Sequence, residues 1–441
     1  MTFRRGHQVP ITGLAALMLA ACAFGARAHE EEAWQAKVQS TYVWQDKGAF
    51  RAAYSGPNSL SPDAAQGYSW TVTAFLGFRP WAGGEVYFNP EGIQGRALSN
   101  LTGLGGLPNG ELQKGASGEM RFYRARLFYR HTVGLGGELE SVESDQNQLA
   151  GKLPARRFVL TAGNLSVSDV FGVSEISGDA RTQFINWASL DHGHFDYAAD
   201  AKSFSWGLAG ELTWDDWTVR AGRFLQPKTS NGLPLDYRIF KRYGDQLEIE
   251  RRHRWWGLPG QVSLLLFRNV ATMGAFRDAI NSAGPGSTPN FDQVRRPQAK
   301  VGFGLAVEQS LSQDLRVLAR GGAHDGKTES YAFTQIDRSF YTAAELRGDR
   351  WGRARDHVGL AFAANGLSND HRDYLARGGL GVFLGDGRLN YRSERIVEAY
   401  YSFAAARGTA ISLNWQRIVN PGYNRDRGPV AIAGLRLHLE F

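Results

Sequence analysis

The sequence predicts an all-β fold, a transmembrane antiparallel β-barrel, and three observations carry that expectation. Apolar and polar residues alternate in segment after segment from Trp34 to Phe441, as they do along a strand whose two faces meet different media. Aromatic residues stand at both ends of several apolar faces, where the girdles of a membrane barrel meet the two bilayer interfaces. Beyond residue 28 no apolar run reaches the length of a membrane-spanning helix.

Residues 1–28 read as an export signal. Arg4, Arg5 and His7 form a basic front, Leu14–Phe24 is a short apolar run, and Ala26-Arg27-Ala28 is a small-x-small cleavage site. His29 is then the first mature residue. Leu19-Ala20-Ala21-Cys22 also fits a lipoprotein cleavage box, which leaves the fate of Cys22 open. Cys22 is the one cysteine in the chain, so a chain that loses it has neither disulfides nor cysteine-bound metal. The formal net charge of +7 falls by three when Arg4, Arg5 and Arg27 leave. The remaining bases are scattered among acids, and export argues against a nucleic-acid partner. A length of 441 residues would suit two or three ordinary domains. No Pro- or Ser-rich linker divides residues 29–441, which are read as one barrel domain.

The strands follow in order. Trp34, Ala36, Val38, Tyr42 and Trp44 share an apolar face, as do Tyr68, Trp70, Val72, Ala74, Leu76 and Phe78. Met120–Thr132 (MRFYRARLFYRHT) puts Tyr123, Ala125, Leu127 and Tyr129 at one parity and Arg124, Arg126 and Arg130 at the other. Dry burial of three guanidiniums without partners is very costly, so the arginine ladder is expected to face a wet lumen. A soluble sandwich with its polar face in solvent would show the same alternation. Phe204, Trp206, Leu208, Leu212 and Trp214 form the next apolar face, then Trp217, Val219 and Ala221 after the Asp215-Asp216 turn. Val301, Phe303, Leu305 and Val307 follow, and then Ile411, Leu413 and Trp415. In Val430–Phe441, Ala431, Ala433, Leu435, Leu437, Leu439 and Phe441 oppose Arg436, His438 and Glu440. A final aromatic after such a strand resembles the signal read by the barrel-assembly machinery, so Phe441 is expected to act in assembly. Short connections (Asp215-Asp216, Gly257–Gly260, Ser310–Asp314) alternate with long ones, the asymmetry of periplasmic turns and outer loops. A closed sheet leaves no edge in lipid.

A family resemblance gathers in the C-terminal third. His371-Arg372-Asp373-Tyr374-Leu375 leads through Gly378-Gly379-Leu380-Gly381 to Gly385-Asp386-Gly387, and Glu398-Ala399-Tyr400-Tyr401 follows. Asn420-Pro421-Gly422-Tyr423-Asn424 and Arg427-Gly428-Pro429-Val430 come next. Earlier stretches agree: Tyr87-Phe88-Asn89-Pro90-Glu91, Arg126-Leu127-Phe128-Tyr129-Arg130, Thr182–Trp187 and Asp196–Asp200. The chain resembles the carbohydrate-selective porins, the OprB family, over nearly its whole length. The resemblance implies a 16-stranded outer-membrane barrel that passes mono- and oligosaccharides, with arginines and acids facing each other at the constriction.

A sugar pore needs a throat where hydroxyls exchange water for protein hydrogen bonds weakly enough to leave again. The resemblance carries the constriction to Arg124, Arg126, Glu91 and Glu119. Arg130 extends the ladder, with a salt bridge in the wall as its alternative role. Glu85, Tyr87, Asn89 and Glu91 share one face of the preceding strand. Gly92–Gly118 and Ser166–Lys202 are long enough to fold inward, the second bringing Asp169, Arg181, Asn186 and Trp187. Trp187 could offer a flat face to a sugar ring or anchor its loop to the wall. His192 and His194 have a metal-like spacing but no completing ligands in sequence, so they read as solvated loop histidines. No cofactor or metal is expected. The expected partners are a carbohydrate, outer-membrane lipid and the barrel-assembly machinery, with a homotrimer and a monomer both open. A general or anion-leaning porin is the nearest alternative. A barrel hydrolase is a third, since a triad is spatial and not sequential.

Overall fold

The computed structural model describes residues 31–112 and 117–441, so the expected export signal, Cys22 and His29 lie outside the described residues. Among these, sixteen strands close into one barrel in which every strand pairs antiparallel with its sequence neighbours. In chain order they are β1 (Trp34–Lys47), β2 (Ala65–Trp81), β3 (Gly84–Arg96), β4 (Arg121–Val142), β5 (Gly151–Leu165), β6 (Ser205–Trp214), β7 (Trp217–Leu225) and β8 (Tyr243–Trp255). The second half holds β9 (Leu258–Met273), β10 (Arg296–Ser310), β11 (Leu315–His324), β12 (Arg338–Gly348), β13 (Arg353–Gly366), β14 (Glu394–Ala406), β15 (Thr409–Val419) and β16 (Val430–Glu440). No helix among the described residues is long and apolar enough to cross a membrane. β1 pairs with β16 to complete the ring.

The alternation in sequence becomes an inside and an outside. Trp34, Leu76, Phe78, Leu208, Leu212, Trp214, Leu413 and Trp415 are exposed on the outer wall. Their neighbours Gln35, Gln39, Thr41, Thr71, Thr73, Thr213 and Gln416 are buried inside. Trp81, Trp217, Trp255 and Trp256 crowd the short-turn end of the outer wall, where amphipathic rings suit a membrane interface. At that end Trp256 and Gly257 both take positive φ, 53° and 77°, as a two-residue turn matched to strand twist requires.

One expected face is wrong over part of its length. The β3–β4 register steps from Asn89↔Arg126 to Pro90↔Arg124, leaving Ala125 without a partner residue. This is a β-bulge, and one extra residue inverts the facing of everything beyond it. Pro90, which lacks an N–H to donate to the ladder, sits at the break. Below the bulge Arg126 and Arg130 face inward as expected. Above it Tyr123 turns inward, where its hydroxyl donates to Glu91, and Arg124 turns out to lie over Trp206 at 5.1 Å. Phe204 also departs from expectation. It precedes β6, is 7% exposed, and packs inside against Tyr123 and Arg126.

Loops 97–120 and 166–204 both send residues into the lumen, with apolar side chains that build a core inside the barrel. Phe171, Phe184, Trp187, Phe195 and Tyr197 of loop 166–204 pack with Phe333 and Phe383 of two later loops. Polar side chains of the wall hold the loop backbone. Glu398 of β14 accepts from the N–H groups of Ile185 and Asn186 at 2.6 and 3.1 Å. Glu394 accepts from Gly105, Gly106 and Gly422. Arg436 of β16 donates to the carbonyls of Ala180, Thr182 and Gln183. Such charges satisfy buried peptide groups that a loop cannot pair within itself.

A third inward element was not expected. The connection 143–150 leaves β4 on the short-turn side and folds back into the barrel mouth. The Gln146 amide donates to Gln39 and Glu440 at 2.8 and 3.1 Å. Asn89 donates to Asn147 at 2.8 Å, and Tyr87 accepts from the Leu149 N–H. Gly136 and Gly137, at φ 105° and 86°, stand where the β4–β5 register shifts.

Candidate functional site

The loop core fills one side of the lumen, and a polar channel remains along the wall from β1 to β9. It comprises two cavities of 680 and 420 Å³ that meet at Arg130, Gln148 and Asp169. Two ion-pair sets dominate the larger one. In the first, Arg181 of loop 166–204 reaches across to the wall. Its guanidinium donates to Glu91 at 2.7 Å, Glu111 at 2.9 Å and the Thr73 hydroxyl at 3.1 Å. Thr73 donates to Glu91, and Thr71 to Glu111, each at 2.5 Å. Burial opposes the Arg181 charge, but Glu111, Glu91 and Asp179 overcome it and hold its pKa well above the ordinary arginine value. In the second set Arg126 of β4 makes a two-pronged pair with Asp169 at 2.7 and 2.6 Å, the fork geometry that fixes both partners. Asp169 is itself held by the Ser166 N–H at 2.9 Å.

The smaller cavity lies toward the short turns. Arg220 of β7 donates there to Glu211, Glu248 and Glu250 at 2.5, 2.7 and 2.8 Å. Arg79 pairs with Glu85 at 2.8 Å and Arg157 with Glu140 at 3.0 Å. Arg130 donates to the Asn147 carbonyl at 2.9 Å and stands 3.9 Å from Glu85, so it serves both as lining and as a wall ion pair.

Of the expected constriction residues, Glu91, Arg126 and Arg130 line this channel. Asn89 lies beside it and orients the inward turn through Asn147. Arg124 does not line it, because the bulge at Ala125 sends it outside. Glu119 does not either; it is exposed before β4, where its N–H and carbonyl meet Ser117, and the long loop carries Glu111 to the throat in its place. Asn186 is a loop anchor. It caps a short 3₁₀ turn through the Ala188 N–H and donates to the Gly106 carbonyl and to Gln416. Trp187 is 3% exposed, stacks on Phe333 at 5.6 Å and donates to the Asn109 carbonyl, so anchoring is its main role although its edge borders the cavity.

His192 and His194 are each 1% exposed, not solvated. Burial drives both pKa values down, that of His194 to about 3, so both rings are neutral. His194 bonds Ser339 and the Phe303 carbonyl. Among the described residues no group of three or more His, Cys, Asp or Glu could hold a metal ion. Arg181, Glu111 and the Arg220 cluster carry no local motif in sequence. The signal for Arg181 and Asp169 was their place in an inward-folding loop; for Arg220 it was its parity on β7, opposite Val219 and Ala221.

A buried-charge throat inside a sixteen-stranded barrel does not by itself name what passes through it, and sequence narrows the choice. Residues 63–441 match the carbohydrate-selective porin, OprB family. The chain belongs to the OprB family. It is an outer-membrane, carbohydrate-selective porin. No curated protein matches the sequence. Among solved structures, the high-pH structure of Pseudomonas putida OprB superposes with a TM-score of 0.71 at 16% identity, covering 93% of this chain and 94% of that one. The outer-membrane channel DcaP of Acinetobacter baumannii gives 0.49 at 8% identity, covering 92% and 97%. At such identities the first likeness concerns the fold alone. In this OprB-family chain, the inward loops, the bulge at Ala125 and the turn 143–150 together set the channel's walls.

Proposed function

We propose that sugars cross this porin passively, trading water for hydrogen bonds with charges already paired across the throat: Arg181 with Glu91 and Glu111, and Arg126 with Asp169. One observation carries this reading. The larger cavity is lined by four cations (Arg126, Arg130, Arg181, Lys202) and six carboxylates (Glu91, Glu111, Asp145, Asp169, Asp179, Glu440). The signs are interleaved and held by ion pairs, so the throat is strongly hydrogen-bonding without a large single-sign field. A neutral polyol gains donors and acceptors there, while a free ion of either charge meets its own sign. The excess of acids removes the motive for an anion-leaning porin.

Donors remain for a passing hydroxyl. Among the described residues Arg181 uses three of its five N–H groups and Arg126 two. Bonds to charged groups contribute about 1.5–3 kcal/mol each, and a millimolar site needs only about 4 kcal/mol. Two or three such contacts therefore bind a sugar weakly enough for release. The channel reading needs no catalytic step. The test is single-channel recording with sugars titrated as blockers, alongside reversal potentials in a salt gradient. Concentration-dependent block by neutral sugars, with weak ion selectivity, is expected. No block by any sugar, or strong anion selectivity, overturns the throat assignment. Turnover by the purified protein would revive the hydrolase alternative.

A further inference from the structure

The bulge that removes Arg124 from the channel delivers it to another site. At the long-loop rim of β4, β5 and β6 lies a cleft of 280 Å³ whose lining draws on both sides of the wall. Its outward side is formed by Arg124 and Lys228 with Trp206, Leu233 and Tyr237, and its inward side by Tyr123, Phe204 and Lys202, whose ammonium lies 3.8 Å over the Tyr123 ring and borders the channel as well. Arg124 is exposed, is in no ion pair among the described residues, and has its guanidinium over the Trp206 ring at 5.1 Å. Lys228 is exposed as well. The lining holds one carboxylate, Asp200, which already accepts from the N–H groups of Lys202 and Phe204.

We propose that this cleft binds the phosphate-bearing headgroup of a lipid in the outer leaflet. Position, charge and the apolar surroundings all favour that occupant. Arg124 shares the lipid-facing side with Phe122, which is 79% exposed. It is the fourth residue of β4, at the long-loop end of the strand, and a lipid-facing cation costs little near such an end because it meets headgroups and not hydrocarbon. Lysine and arginine donate and never accept, so the cleft selects an acceptor-rich anion over a neutral sugar. An arginine fork suits phosphate oxygens. Beside it, loop 226–242 exposes Leu233, Tyr237 and Phe240 at 54, 72 and 84%, an apolar edge that acyl chains can cover, with Lys241 and Arg242 adjoining. Further along the same face Arg223 is neutralised by Asp245 at 2.6 Å, so the excess charge concentrates at Arg124 and Lys228.

The test is native mass spectrometry of the purified full-length porin. The probes are lipid A, its dephosphorylated form, inorganic phosphate and a neutral oligosaccharide. The variants are Arg124→Glu/Lys228→Glu and the milder Arg124→Gln/Lys228→Gln, each checked for the folded barrel by gel mobility. The wild type should retain lipid A, and the charge-reversed variant should bind it at least tenfold more weakly while single-channel conductance stays unchanged. If charge reversal blocks folding, the Gln pair should show a smaller loss in the same direction. Equal lipid A binding by folded variants and wild type overturns the proposal, as does equal binding of the dephosphorylated lipid. Displacement of lipid A by millimolar inorganic phosphate would make this a free-anion site. Variant-sensitive binding of the oligosaccharide would make it a sugar-capture site. Either result also overturns the lipid assignment.

Discussion

Arg181 and Arg126 face the same cavity, yet their removal should have different outcomes. Glu91, the partner of Arg181, is 2% exposed. Arg181→Ala leaves that buried carboxylate with the Thr73 and Tyr123 hydroxyls but without its cation, and loss of one member of such a pair costs roughly 3–5 kcal/mol. It should loosen loops 97–120 and 166–204, with faster hydrogen exchange there, and adding Glu91→Gln should restore protection in part. Arg126→Ala leaves Asp169 more exposed and should spare the fold. Sugar block should weaken by about 1.5–3 kcal/mol, one charged hydrogen bond, and selectivity should move toward cations because a carboxylate is left uncompensated. Unchanged block and reversal potential in Arg126→Ala would remove it from the throat. Asp196 makes a third case. It is buried with Lys300 at 2.6 Å and accepts from the N–H groups of Tyr331, Ala332 and Phe333. Burial works to raise its carboxyl pKa, but Lys300 and these N–H groups win and hold it at about 2. A depressed acid stabilises above its unfolded pKa, near 4, and that contribution is lost as pH falls toward the folded value. Protection of loop 166–204 should therefore drop between about pH 4 and pH 2. Asp196→Asn should be weakly protected at neutral pH and show little further change.

At the scale of elements, the strands were legible because alternation is local and lipid enforces it. Trp34–Trp44, Tyr68–Phe78 and Val430–Phe441 needed no knowledge of their neighbours. The bulge was not legible. Pro90 marks it only when set opposite Ala125, and that register belongs to two strands at once. Glu111, Arg181 and Arg220 were hidden for the same reason, since their partners lie on other elements and no spacing in sequence joins them. The turn 143–150 was hidden because its polar run reads like any exposed connection, and only contacts with Gln39, Asn89 and Glu440 place it in the mouth. Deleting residues 135–156 and joining Gly134 to Arg157, which are paired across β4 and β5, leaves the ladder above them intact. Conductance should rise and sugar block weaken, while the barrel still folds. Wild-type conductance in that variant would show that the turn does not narrow the path.

For the whole molecule, continuity of hydrogen bonding around sixteen strands should make the barrel resist detergent until heated. Unheated samples should migrate faster than boiled ones, and identical mobility would contradict a closed ring. We propose that Phe441 matters to that ring. Its N–H donates to the Val38 carbonyl and its carbonyl accepts from the Val38 N–H, at 2.9 and 3.0 Å. Removing it should lower the amount of folded porin in the outer membrane, and an undiminished amount would show that the residue is dispensable. The seam between β1 and β16 has a further consequence. Thr41 and His438 hydrogen-bond across it at 2.8 Å, 397 positions apart. The ribosome delivers β1 first of all strands and its second neighbour last. Through the synthesis and export of everything between, one edge of β1 has no native mate, and an unpaired edge recruits foreign strands. Bringing such distant ends together also carries a large loop-closure entropy. The edge of β1 therefore stays open, and with it the danger of aggregation, until the last strand docks.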